Sequence, residues 1–233
     1  MNILGFDTCF PALTVAAGRG LGVQGGRVAL RCEPMTTGHA ERLIPLISEL
    51  LDQIELRIDE IDRIAITAGP GSFTGTRIGI AAARALKLAR NIPVVSFSSL
   101  QAIALSPVIT PLTGEDIAVA VDAHRGEAYV ELFEGAQRHS VKPPHALSLD
   151  NLASMARGRP VVAVGTAADT LALAIDRAGG QARVQPGVQF PDMAAAIARA
   201  SKTEPVTGAI EPLYLRPPDA KPQEDKTLPR VGA

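Results

Sequence analysis

Two aspartates, a glycine-rich turn and a few scattered histidines and serines are the groups of this chain whose types and spacing could do chemistry. The turn is Ala68-Gly69-Pro70-Gly71-Ser72-Phe73-Thr74-Gly75-Thr76-Arg77-Ile78-Gly79. It follows a short apolar strand and opens a long Ala/Leu-rich helix, so backbone N–H groups stand unshielded at a helix start. Unpaired donors and the helix dipole point the same way there, which suits an anion. Gly69, Gly71, Ser72 and Thr74 are therefore candidate nucleotide or anion contacts. Asp7, with Thr8 beside it, ends the first strand, and Asp122 ends a later strand in a matching context. The competing reading is structural: glycine-rich βα turns are common, and aspartate ends many strands because it favours turns.

The histidines and serines point less far. His39 precedes a helix, with Glu41 and Arg42 close by, and reads as a capping or solvent-facing side chain. His124 sits beside Arg125 in a tight turn and reads as a turn or lobe-interface residue. Hydrolysis would need a nucleophile with a base, or a metal site. Ser72 and Ser99 lack a Gly-x-Ser-x-Gly elbow, and no His-Glu-x-x-His run is present.

Stepping along the chain gives the elements that must hold these groups. Apolar strands are expected at 2–6, 13–17 and 27–32, with glycines 18, 20, 22, 25 and 26 in the last turn of an antiparallel meander. Leu43, Leu46, Ile47 and Leu50 recur at helical spacing and predict an amphipathic helix over 41–54, with Pro45 in its first turn or at a kink. Strand 63–67, the glycine-rich turn, helix 76–90, strand 93–97 and helix 99–105 follow. After Pro107, Pro111 and Gly114 a similar beginning recurs: strand 117–121 ends at Asp122, a turn follows, and 127–133 returns as a strand. Helix 148–157, strand 161–164, helix 168–178 and helix 191–201 complete the second half. The expected fold is α/β, with two ribonuclease-H-like lobes of the actin-like ATPase (ASKHA) type, the second lobe reduced. The expected division is 1–106, 107–216 and a Pro-rich flexible tail, 217–233.

Composition sets bounds. The 233 residues are 46% hydrophobic and 20% charged, with net charge −1 and no long basic block. That argues against a strong nucleic-acid binder acting alone, and 3% aromatics argue against a base-stacking platform. Two cysteines, Cys9 and Cys32, fit no metal spacing, so a reducing cytoplasm is expected. Neither a signal peptide nor a run of ~20 apolar residues is evident.

Together, Ile3-Leu4-Gly5-Phe6-Asp7-Thr8, Gly38-His39-Ala40-Glu41-Arg42-Leu43-Ile44-Pro45, the Gly69 to Gly79 run, Phe97-Ser98-Ser99-Leu100, Asp122-Ala123-His124-Arg125-Gly126-Glu127-Ala128-Tyr129 and Pro212-Leu213-Tyr214-Leu215-Arg216 resemble the bacterial TsaB (YeaZ) family. That family is similar to the glycoprotease-like transferase TsaD. The resemblance implies a role in forming threonylcarbamoyladenosine beside the anticodon of tRNA. It implies a TsaD-like catalytic subunit and a TsaE-like ATPase as partners, a homodimer in isolation, tRNA contact only through the complex, and no membrane. It implies no intrinsic cofactor, with ATP or ADP at a subunit boundary in the complex.

Catalytic relatives hold a metal through two histidines one helical turn apart, on the helix after the strand matching 93–97. Here Ser99 and Ile103 fall at those places, and isoleucine ligates nothing. No catalytic or metal-binding residue is therefore expected. The alternative is an ATP-dependent transferase or metallopeptidase of the same fold acting alone. The second-lobe turn Val164-Gly165-Thr166 offers one glycine to a nucleotide, a weakened site. What remains is binding. Leu43, Leu46, Ile47 and Leu50 on one helix, with Ile78, Gly79, Ile80, Ala82, Ala83 and Leu86 on the next, are expected to form the partner interface.

Overall fold

A computed structural model describes residues 1–216. Two five-stranded sheets carry the molecule. The first contains β1 (Ile3–Phe10), β2 (Ala12–Arg19), β3 (Arg27–Pro34), β4 (Arg63–Thr67) and β5 (Val94–Phe97), in the order β3-β2-β1-β4-β5. β1, β2 and β3 are antiparallel, whereas β4 is parallel to β1 and β5 to β4. The second contains β6 (Asp116–Asp122), β7 (Glu127–Glu134), β8 (Ser140–Ser148), β9 (Val161–Val164) and β10 (Ala182–Val184), in the order β10-β9-β6-β7-β8. It is the same order read from the other end, so the lobes are a duplicated ribonuclease-H-like unit. A central strand covered on both faces reads as a near-continuous apolar run. All eight residues of β1 are buried, which accounts for the apolar stretch from Ile3 to Phe6; its two polar side chains, Asp7 and Thr8, are buried and hydrogen-bonded.

Helices α1 (His39–Gln53) and α2 (Phe73–Arg90) cover one face of the first sheet. Leu43, Leu46, Ile47, Leu50, Ile80 and Ala83 meet Leu4, Phe6, Val15, Ile64 and Ile66 there. The short α3 (Ser99–Ala104) follows β5 in sequence but packs on β6 and β7 of the second sheet. Reciprocally, α5 (Met193–Ala200) follows the second sheet but packs on β1, β2 and β4. The other face of the second sheet is covered by α4 (Ala168–Arg177) and a 3₁₀ segment, Leu149–Met155.

Several expectations are corrected. A cut near residue 107 does not separate two packing units, because α3 and α5 each complete the other half's sheet. The reason is the second apolar face of each sheet, which its own half of the chain leaves bare. The tail 217–233 lies outside the described residues. The second lobe is reduced in its helices but not in its strands. β8 and β10 are absent from the sequence reading: β8 carries Pro143 and Pro144, and β10 is three residues long. Helix 148–157 is the 3₁₀ segment.

The interface prediction is also corrected. Leu43, Leu46, Ile47, Leu50, Gly79, Ile80 and Ala83 are buried, and Ile78, Ala82 and Leu86 pack half-buried against the same core. α2 touches both the sheet and α1, so a wide arc of its surface is covered. The apolar side chains left in solvent are others: Ile44, 56% exposed, and Leu88, 89% exposed, with Ala81, Ala85 and Ala89.

Candidate functional site

A cleft of 670 Å³ opens between the lobes. Its first-lobe wall is the end of β1 (Cys9, Phe10), the start of α1 (Gly38, His39, Glu41) and the start of α2 (Gly71, Ser72, Thr74). Its second-lobe wall is Val121, Asp122, Ala123, His124, Tyr129 and Arg216.

Glycines bring α2 onto β1. A Cβ on Gly75 would lie 2.0 Å from the carbonyl oxygen of Thr8, one on Gly71 would lie 2.4 Å from that of Cys9, and one on Gly79 would lie 2.7 Å from Thr8 Oγ1. Thr8 Oγ1 donates to the Gly75 carbonyl at 2.7 Å, which pins the helix to the strand. Ser72 caps α2, its hydroxyl accepting from the Gly75 N–H at 3.2 Å. Of the turn positions expected to cradle an anion, Gly71 therefore also has a packing task and Ser72 a capping one. Gly69 stands at φ +100°, where a Cβ would meet the Leu213 carbonyl at 2.8 Å; it does not line the cleft.

The two aspartates differ. Asp7 is 1% exposed and lies beneath the cleft floor. Thr67 Oγ1 donates to its Oδ1, as does the Cys9 N–H at 3.3 Å, while Oδ2 has no partner. Burial raises its pKa from 3.8 to about 6, against the lowering effect of the Thr67 and Cys9 hydrogen bonds. Burial likewise pushes the Cys9 thiol up to about 12, with the Asp7 charge adding to the rise. A thiol so raised is no nucleophile. Asp122 is exposed at the cleft, its Oδ1 accepting from the His124 N–H at 2.8 Å and its own N–H donating to Thr166 Oγ1 at 2.9 Å. The structure thus brings Gly71, Ser72, Thr74 and Asp122 to one cavity and leaves Asp7, Thr8 and Gly69 under or behind its wall.

His39 is buried rather than capping or in solvent. Gly38 is the N-cap, and His39 Nε2 donates to the Phe10 carbonyl at 3.1 Å. His124 stands in the β6–β7 turn, with both it and Arg125 at left-handed φ of +61° and +57°. Ser99 and Ile103, at the places of the histidine pair in catalytic relatives, are both fully buried. Ser99 Oγ has no partner, and Ile103 belongs to the apolar layer between α3 and the second sheet.

Sequence reasoning missed the segment that closes the cleft. Arg84 donates to the Ile210 carbonyl at 2.5 Å, and the Leu213 N–H donates to the Ala68 carbonyl at 2.7 Å. Tyr214 stacks on Phe73 at 5.3 Å, and Arg77 donates to its hydroxyl at 2.9 Å. Arg216 crosses to the second lobe, donating to Glu127 at 2.9 Å and to the Ala123 carbonyl at 2.6 Å, 5.5 Å over the Tyr129 ring. The Pro212 to Arg216 motif was visible in the sequence, but nothing local says that it spans two lobes. Two further ties were missed. Ser98 donates to the buried Glu131 of β7 at 2.6 Å; burial raises the pKa of that carboxyl. Arg138 donates to the carbonyls of Ala104, Ser106 and Ile109.

The cleft offers hydroxyls, exposed helix-start amides and one arginine that is already paired. It can bind a polar ligand, while the most perturbed acid, Asp7, lies behind its wall and the Cys9 thiol is buried in it.

The family model described as TsaD, tRNA N6-adenosine threonylcarbamoyltransferase, matches residues 33–204. An uncharacterized protein of Mycobacterium tuberculosis is 34% identical over 95% of this chain and 94% of its own length. The tRNA threonylcarbamoyladenosine biosynthesis protein TsaB of Bacillus subtilis is 28% identical over 71% of each chain. The solved structure of YeaZ from Pseudomonas aeruginosa superposes with a TM-score of 0.73 at 25% identity, covering 92% of this chain and 99% of that one.

Proposed function

The chain belongs to the TsaB (YeaZ) family, whose named members act in tRNA threonylcarbamoyladenosine biosynthesis, and from that premise we propose that it serves there as a non-catalytic scaffold. Its task is to hold a TsaD-like catalytic subunit and, through that assembly, a TsaE-like ATPase and the tRNA. ATP or ADP then sits at a subunit boundary, and no cofactor belongs to the isolated chain.

One observation carries the non-catalytic reading. At the two positions that would present imidazoles to a metal stand Ser99 and Ile103, both packed inside the molecule. Replacing them by ligands would not create a site, because neither side chain faces the cleft. The partner surface is supported by the exposed apolar groups of α1 and α2. Ile44 and Leu88 project into solvent, with small Ala81, Ala85 and Ala89 between turns that admit close helix approach.

The test is reconstitution. The chain alone should give no threonylcarbamoyl transfer to tRNA, and adding it to a TsaD-like subunit with TsaE should support transfer. Ile44→Asp with Leu88→Asp should weaken binding of the TsaD-like subunit by roughly tenfold to a hundredfold in calorimetry, as loss of apolar hot spots does. The variant should melt as the parent does, since both side chains are exposed. Turnover by the chain alone, or unchanged binding by the variant, overturns the reading.

A further inference from the structure

The aromatic residues of this chain are six phenylalanines and two tyrosines. All but two of them are buried or half-buried. Phe73 and Tyr214 stand in solvent, 47% and 42% exposed, and they stack on each other with ring centres 5.3 Å apart. The pair sits on the rim of the cleft, because Phe73 lies between Ser72 and Thr74 of the first-lobe wall. The Arg77 guanidinium lies 3.8 Å from the centre of the Phe73 ring, while its Nε donates to the Tyr214 hydroxyl. A tie between α2 and the segment ending at Arg216 would be stronger with these rings covered, since an aromatic side chain contributes chiefly by leaving water. Nearly half of each ring is left bare instead. The low aromatic content that speaks against a stacking platform is an average over the chain, and its exposed share is gathered at one point.

Positive charge runs away from this stack along α2. Arg84 and Lys87 follow Arg77 on the same side of the helix, over about 15 Å at the usual rise per residue. The hydrogen bonds of the three go to the Tyr214 hydroxyl and to the carbonyls of Ile210 and Gly208. None of these partners is a carboxylate, so among the described residues the three charges are not neutralised by an ion pair. On α1 the opposite holds, where Arg42 is gripped between Glu33 and Glu49. A flat, half-bare π surface beside cations without counter-charges suits an unpaired nucleotide. The base stacks on a ring, and the phosphates that flank it meet the cations. An acidic peptide would use the cations but leave the rings bare, so the rings decide for nucleic acid.

We propose that Phe73, Tyr214 and Arg77 form a stacking site for an unpaired base of RNA, with Arg84 and Lys87 on the backbone phosphates beside it. This goes beyond the scaffold reading, which gives the chain no RNA contact of its own; the choice of RNA rests on that reading, which brings tRNA to the assembly. One stacked base and three cations make a weak site, so the isolated chain should bind with a dissociation constant of about 10⁻⁴ M, the weak end of sequence-independent binding.

Amide NMR of the full chain, titrated with hexa-adenylate RNA at low salt, tests it. The signals of Phe73, Arg77 and Tyr214 should shift together. The logarithm of the affinity should fall against the logarithm of salt with a slope of about −2, as three phosphates of a single strand would give. Phe73→Leu keeps an apolar side chain in place and should keep the melting curve, yet weaken binding about fivefold or more, because the π face is lost. Phe73→Trp should bind as the parent does or more tightly. Hexaglutamate, with similar charge and no bases, should bind about fivefold more weakly than the RNA or worse. Shifts confined to other surfaces, no binding at millimolar RNA, a Phe73→Leu variant that binds as the parent does, or hexaglutamate that binds as tightly as RNA would each overturn the proposal. Binding of the TsaD-like subunit is measured on the same proteins: if it fails while the parent still binds RNA, the scaffold reading falls and the stacking site stands.

Discussion

The two lobes share one strand order, yet they treat the end of the central strand in opposite ways. In the first, three glycines let α2 press on Thr8 and Cys9, and Asp7 is sealed beneath. In the second, only Gly165 makes such an approach, its Cβ position 2.2 Å from the Ala120 carbonyl, and Asp122 stays in solvent. A duplicated fold therefore offers its cleft one rigid wall and one open wall. The strand gives each aspartate its place; the helix that follows decides whether water reaches it. The difference is one of packing, and packing variants should break it first.

Gly75→Ala should have the largest effect. The added methyl would meet a backbone carbonyl at 2.0 Å, and a carbonyl in a central strand has no room to yield. α2 must lift from β1, at a cost of about 3 kcal/mol or more, comparable to the worst overpacking. Gly126→Ala, in the second-lobe hairpin, meets nothing within 4 Å and adds only left-handed strain at φ +76°, about 1–2 kcal/mol. Urea unfolding of both variants checks the contrast. Equal losses would mean that the lobes are equally tight.

Asp7→Asn should come next. In the fold the protonated acid is favoured, since the pKa rises from 3.8 to about 6. Stability from this group is therefore full below pH 3.8 and is lost as pH climbs through about 6. The shift of roughly two units corresponds to about 3 kcal/mol. The asparagine does not titrate, so its stability relative to the parent should improve by about that much between pH 3 and pH 8. Any constant offset from its unpartnered amide cancels in that difference. Asp122→Asn should stay within about 0.5 kcal/mol of the parent at both pH values, as exposed substitutions do. A flat Asp7→Asn difference would mean that water reaches the carboxyl.

The contrast between the aspartates also shows what could be read from residues alone. The matching strand–aspartate openings revealed the duplication, because period and turn chemistry are local. The reciprocal swap of α3 and α5 was not legible. Both helices are apolar enough to pack anywhere, and sequence order suggests the nearest sheet. The glycines drew notice for their amides, whereas the structure uses three of them for close packing. That use is invisible without knowing which carbonyl lies opposite. β8 was missed because two prolines mask a strand that is edge-placed and so tolerates them. The apolar run of α2 also points to a partner interface at Ile80, but the core of the first sheet takes that side chain instead.

The smallest effect should come from the segment that joins the two walls. Arg216 is partly buried and makes a charged pair with Glu127, a bond to the Ala123 carbonyl and a cation–π contact with Tyr129. Arg216→Ala removes all three, but water can replace them, so the global loss should be about 1 kcal/mol. Its local effect should be larger. Without that anchor the β6–β7 hairpin loses its tie to Tyr214 and Leu213, which remain fixed to α2 and to Ala68. Hydrogen exchange should then quicken at the Ala123 and Glu127 amides, while Ile64, in the first-lobe core, keeps its rate. If Ile64 quickens by the same factor, the walls open as one unit, and the rigid side of the cleft is no more rigid than the other.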